Sequence, residues 1–113
     1  MKTYEYESVH DSYKYTIRVG ESAQENWDLI DSSKQNDLWF HVENNPSCHV
    51  VLSAESGKTP HKSVINYCAA LCKDGSKLKN NKNVNIIFTE RKNVKKADTT
   101  GSVTTKNTRN VKV

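Results

Sequence analysis

Two short β-prone runs constrain this chain more than any other feature. Asp37–Val42 (DLWFHV) and Cys48–Ser53 (CHVVLS) flank an Asn/Pro turn, the arrangement of a hairpin. Side chains alternate faces along a strand, so Leu38, Phe40 and Val42 share one face, while Asp37, Trp39 and His41 share the other. The first set is wholly apolar and belongs in a core. On the returning strand Val50 and Leu52 match it, which leaves His49 and Val51 opposite. One register satisfies both runs, with Phe40 across from Val50, Leu38 from Leu52 and hence His41 from His49. A slip of one residue would send the apolar set to the wrong face.

The rest of the chain divides around this hairpin. Tyr13–Val19 alternates cleanly, and Lys2–Ser8 alternates more weakly and can pair with it across a turn at His10–Ser12. Gly20 ends that strand. Ser22 followed by Glu25 fits a capping box, and Ala23, Trp27 and Ile30 recur at helical spacing, predicting a helix from about Ala23 to Asp31. Thr59-Pro60 reads as a cap with proline at the first helical position. Val64, Tyr67, Cys68, Leu71 and Cys72 follow as an apolar stripe, and Gly75 is the natural stop. Lys77–Asn83 is a polar loop and Val84–Thr89 a central strand. Glu90–Gly101 is expected as a charged loop, and Val103–Thr105 with Arg109–Val113 as a closing hairpin. This order predicts one α+β domain over residues 1–113, with a mixed, mainly antiparallel sheet and two short helices.

At 113 residues and 35% hydrophobic composition, the chain has material for one thin core. Its apolar runs fall far short of the roughly 18 residues needed to span a bilayer, and its start lacks the apolar stretch of a signal peptide. Three cysteines without an export signal read as free thiols in a reducing compartment, so the expected location is cytoplasmic, or else nuclear.

The net charge of +4 is unevenly spread. Residues 1–72 hold 6 Lys/Arg against 10 Asp/Glu, and residues 73–113 hold 11 against 3. Such asymmetry is the footprint of a polyanion-binding surface, although the 14 Lys and 12 Asn are also what codon bias in an AT-rich genome produces. Arg91, Lys92, Lys95 and Lys96 concentrate the charge in one segment, where they can track a phosphate backbone or form an ordinary solvated loop.

The face carrying Trp39, His41 and His49 has two readings. A helix can cover it and make the imidazoles internal hydrogen-bonders, or the face can contact a ligand. Catalysis and metal binding are poorer readings. His41, Cys48, His49, Cys68 and Cys72 are zinc-ligand types, but no C-x-x-C pair exists, and Cys68 and Cys72 fall on the apolar stripe. A Cys48–His41 nucleophile pair lacks an orienting third group. The four glycines are isolated, so no phosphate-cradling loop or cofactor is expected.

Taken in order, the motifs resemble the NFACT-R family. D-L-W-F-H-V (37–42) and P-S-C-H-V-V-L (46–52) resemble its D-[IL]-W-[FL]-H and P-G-S-H-V segments. V-G-E-S-A-Q-E-N-W-D-L (19–29) resembles its V-G-R-N-x-x-[QE]-N-D-x-L segment. Y-C-A-A-L (67–71) falls where that family has an alanine-rich helix. N-V-N-I-I-F-T (83–89), N-V-K-K-A (93–97) and G-S-V (101–103) resemble its ending. The likeness is greatest to stand-alone eukaryotic members, though without their C-terminal coiled coil. Glu21 stands where the family has arginine, and Ser47 and Cys48 stand where it has glycine and serine. The resemblance implies a non-enzymatic domain that binds RNA, either tRNA or large-subunit rRNA, in ribosome-associated quality control. Together with the charge and the strand pattern, it gives Trp39, His41, His49, Arg91, Lys92, Lys95 and Lys96 as the candidate RNA contacts. The ribosome or translation factors are the implied protein partners, and the alternative is a module that docks on such an assembly without touching bases.

Overall fold

Tyr13, Tyr15, Ile17 and Val19 alternate with polar residues, and a strand with one buried face forms from that pattern. In a computed structural model that describes residues 1–53 and 59–113, this strand is β2 (Tyr13–Val19). It pairs antiparallel with β1 (Lys2–Ser8) along its whole length, from Lys2 opposite Val19 to Ser8 opposite Tyr13. Helix α1 (Ala23–Asp31) follows, and Ser22 Oγ accepts from Glu25 N at 3.1 Å. The returning bond of the capping box is displaced by one residue, because the Glu25 carboxylate accepts from Glu21 N rather than from Ser22 N (2.9 Å).

The hairpin formed by β3 (Leu38–Val42) and β4 (Val50–Leu52) adopts the register its apolar residues require, with Leu38 opposite Leu52 and Phe40 opposite Val50. Strand β4 also pairs with β2, and β3 pairs with β5 (Asn85–Glu90), which in turn pairs with β8 (Arg109–Lys112). The result is a six-stranded antiparallel sheet in the order β1-β2-β4-β3-β5-β8. Helix α2 (Lys62–Asp74) buries Val64, Cys68, Ala69 and Cys72 against one face, over Ile17, Leu38, Phe40, Val42 and Ile86. The other face carries a smaller core of Leu29, Ile30, Trp39, Val51 and Val94.

Four sequence expectations need correction. Residues 90–101 are not an open loop. A single 3₁₀ turn (Arg91–Asn93) leads into β6 (Val94–Lys96), which pairs with β7 (Val103–Thr105) as a separate two-stranded ribbon. Burial of Val94 under α1 holds the ribbon down, and Trp27 Nε1 donates to Ser102 O at 3.0 Å to tie its turn to the helix. Consequently β7 and β8 do not form a hairpin with each other. The α2 cap is His61, whose Nδ1 accepts from Ser63 N (3.1 Å), and Thr59-Pro60 precedes it. Asp37 does not join the Trp39 face either. The strand begins at Leu38, and Asp37 is buried in the preceding turn, with Oδ2 accepting from Lys34 N (2.9 Å).

Candidate functional site

Cross-strand register lines up Asn110, Ile87 and His41 on the second face of the sheet, and His49 continues the row. The His41 and His49 rings meet edge to face at 5.1 Å. Trp39 lies parallel to His41, 5.6 Å between centroids, and perpendicular to His49 at 5.2 Å. Trp39 Nε1–H donates to His49 Nδ1 (3.1 Å), which leaves His49 as the neutral tautomer with its proton on Nε2. Burial, with a smaller contribution from nearby His41, pushes the His49 pKa down to about 3. Burial also lowers that of His41, against the opposing effect of a hydrogen bond to the Val42 backbone. At neutral pH the cluster is therefore two uncharged imidazoles beside an indole.

The backbone of His49 is held from both sides. Its N–H donates to Asn26 Oδ1 (3.2 Å), and its carbonyl accepts from Gly20 N (3.0 Å). Asn26 is nine-tenths buried, in the second turn of α1. A Cβ on Gly20 would lie 2.4 Å from Asn26 Oδ1 and 3.1 Å from Asn26 N, so no side chain fits there without moving the helix. Gly20→Ala is accordingly expected to displace Asn26, leave the buried His49 N–H unpaired and cost about 1–3 kcal/mol. Thermal unfolding measures this, and a variant as stable as the parent would mean that the Asn26 contact contributes nothing.

These contacts shape a cleft of about 590 Å³ between the 44–47 turn and the ribbon, lined by Trp39, His41, Asn45, His49, Ile87 and Thr105 among others. Among the described residues, no Lys, Arg, Asp or Glu lines it. Such a surface offers neutral donors and acceptors beside aromatic edges, which suits a planar polar group better than a phosphate. Trp39 and His49 are only 1% and 2% exposed, so of the two readings of this face the covered one describes these two side chains. Helix α1 and the ribbon cover them, and His41 is the half-buried member at the rim.

The basic residues also sort themselves. Arg91 points inward, with Nε donating to Ile30 O (2.7 Å) and Nη1 to Val94 O (2.9 Å), so its guanidinium closes the end of α1. Lys92, Lys95 and Lys96 are exposed. Lys96 pairs with Asp31 (2.7 Å) and lies 5.3 Å from the Trp27 ring centroid, and Lys92 is 3.6 Å from Glu90. Exposed pairs of this kind contribute roughly 0–1 kcal/mol and exchange readily for a phosphate.

Sequence reasoning gave no site role to Asn26, Gly20 or Ser47, whose Oγ accepts from Val42 N (3.2 Å) across the hairpin turn. The usable signal was a polar residue one turn into an amphipathic helix, beside a strand ending in glycine.

The family model described as NFACT protein RNA binding domain matches residues 2–112. Coiled-coil domain-containing protein 25 of Mus musculus is 38% identical over 93 residues, which cover 76% of this chain and 43% of that protein. Its counterpart in Danio rerio is 37% identical over 89 residues, 73% of this chain and 42% of the relative. The chain thus spans less than half the length of these relatives. Among solved structures, the C-terminal part of the fibronectin/fibrinogen-binding protein from Streptococcus suis matches with a TM-score of 0.85 at 27% identity. The match covers 100% of this chain and 45% of that one.

Proposed function

Because the chain belongs to the NFACT RNA-binding domain family, we propose that it binds RNA without catalysing a reaction. In this reading an unpaired base enters the cleft beside His41 while the exposed lysines of the ribbon hold the backbone. The observation that supports it best is the division of labour on one face. Among the described residues no charged side chain lines the cleft, and β6, paired with the β7 strand that lines it, carries Lys95 and Lys96. Phosphate contacts supply affinity and position, and base contacts supply selectivity. His41 meets the base directly, and Trp39 and His49 form the wall and fix its orientation. Arg91 supports the ribbon from beneath, and Lys92, Lys95 and Lys96 face the phosphates. The RNA is a tRNA or large-subunit rRNA in ribosome-associated quality control, a setting inferred from the family resemblance.

Fluorescence anisotropy against a tRNA, an unstructured RNA and a fully paired duplex, each over a range of salt, tests this. Removing Lys92, Lys95 and Lys96 together is expected to weaken binding to all three RNAs similarly. Each lost phosphate contact should flatten the slope of log K against log salt by about 0.7–0.9. His41→Ala should leave that slope unchanged and cost on the order of 1–3 kcal/mol for RNAs with unpaired bases, with little effect on the duplex. Salt-insensitive binding, or none, would overturn the RNA reading and favour a protein-docking module. A folded His41→Ala protein with unaltered preference would remove the cleft from it.

A further inference from the structure

The His49 side chain is almost wholly buried, and one of its ring nitrogens is already committed. An indole N–H can only donate, so the 3.1 Å bond from Trp39 Nε1 requires a bare Nδ1 and places the ring proton on Nε2. Among the described residues no group accepts from Nε2, and no polar side-chain atom sealed from solvent lacks a partner. Nε2–H therefore opens on the cleft that His49 lines, as a donor without a protein partner. Its position is rigid, because Asn26 Oδ1 and Gly20 N hold the His49 backbone from both sides.

The other polar groups of the cleft set no opposing preference. Asn26 Oδ1 is occupied by the His49 N–H, so what this side chain adds to the wall is amide hydrogens. Ser47 Oγ is used twice, accepting from Val42 N (3.2 Å) and donating to Cys48 O (2.9 Å). The hydroxyls of Thr100, Ser102 and Thr105, on the ribbon side, can turn to donate or accept. Asn45 is exposed at the mouth, and neutral His41 at the rim has one N–H and one bare nitrogen. The fixed contact deep in the cleft is thus a donor, and it calls for an acceptor on the ligand.

An unpaired base reaches this wall with the edge far from its sugar, because the sugar and phosphates stay outside beside the ribbon lysines. That edge carries a carbonyl oxygen in guanine and uracil and an exocyclic amine in adenine and cytosine. The oxygen accepts from Nε2–H. The amine would face it donor to donor, and both groups would lose water without gaining a bond. We infer that His49 Nε2–H is the specificity-determining group of the cleft and selects guanine and uracil over adenine and cytosine. This selection rests on the RNA-binding reading above and adds to it the class of base that is preferred.

Oligouridine and oligocytidine of equal length test it, since they match in phosphate number and ring size and the lysine contribution cancels in their ratio. Fluorescence anisotropy at neutral pH and fixed salt is expected to show oligouridine binding roughly tenfold tighter, the effect of about one neutral hydrogen bond. His49→Asn keeps an acceptor for Trp39 Nε1 but ends short of the Nε2 position, and should bring the ratio close to unity. Nitrogen NMR of the imidazole in the parent should show a bare Nδ1 and a protonated Nε2. The Nε2 signal should shift with oligouridine more than with oligocytidine. If His49→Asn fails to fold by circular dichroism, the parent's ratio and its Nε2 signal decide the matter. Equal binding of the two RNAs, a preference for oligocytidine, a proton on Nδ1, or a folded His49→Asn protein that keeps the parent's ratio would each overturn the selection. Those results would leave the RNA-binding reading standing. No binding of either RNA by the parent would overturn both.

Discussion

Trp39→Ala is expected to lower the free energy of unfolding by about 3–5 kcal/mol, a large part of the roughly 5–15 kcal/mol available to a small domain. Trp39 is buried among Leu29, Ile30, Val51 and Val94, which come from α1, β4 and β6. Each of those elements is anchored by its own hydrogen bonds, so they cannot collapse fully into the space the indole leaves. The substitution also removes the donor to His49 Nδ1, stranding a buried acceptor. Trp39→Phe separates the two effects, since it keeps most of the apolar area and loses only the donor, at a cost of about 1–3 kcal/mol. Urea unfolding followed by circular dichroism measures both. A loss below about 1 kcal/mol for the alanine variant would mean that the second core does not hold the ribbon to the sheet. The same result governs any RNA measurement at this position, because lost binding by an unfolded variant reports on packing rather than recognition.

Acid is expected to destabilise the fold through His49. Its pKa is about 3 when folded and near 6.5 when exposed, so between those values the unfolded chain binds a proton that the folded chain refuses. The stabilising contribution is present in full above pH 6.5 and is lost as the pH falls toward 3. The slope approaches 1.4 kcal/mol per pH unit, and the loss is on the order of 3 kcal/mol by pH 4.5. His41, also shifted down, adds in the same direction. Asp11 and Glu25 have pKa values held below the usual carboxylate range, by Tyr15 and by the N-terminal ammonium respectively, so their losses begin only at lower pH. His49→Asn tests the assignment, since its Oδ1 can accept from Trp39 Nε1 without titrating. Stability measured from pH 7 to 4.5 should slope less in this variant. An unchanged slope would place the acid sensitivity elsewhere.

The central hairpin and its register were legible because Leu38, Phe40, Val50 and Leu52 admit only one pairing, and the α1 limits because Ser22 and Glu25 mark its start. What the sequence hid depends on distant partners. Val94 is one apolar residue in a run of charge, and nothing local says that α1 will cover it. Arg91 looks like a free cation until the carbonyl of Ile30, 61 residues earlier, is placed beside it. The cluster of Trp39, His41 and His49 was foreseen on one face, but whether a helix covered that face was left open between two readings. Alternation assigns a residue to a face and leaves open what packs above that face.

The order of the large sheet also bears on how these molecules behave toward one another when crowded. Its outer strands are β1 and β8, each with a row of backbone groups that another chain could extend. Lys2, Glu5 and Glu7 stand on the first, and Arg109 and Lys112 on the second. An added strand would have to strip water from these charges to reach the backbone, a cost that natural sheets use to keep their borders from joining. The charged rims thus act as a guard against edge-to-edge aggregation.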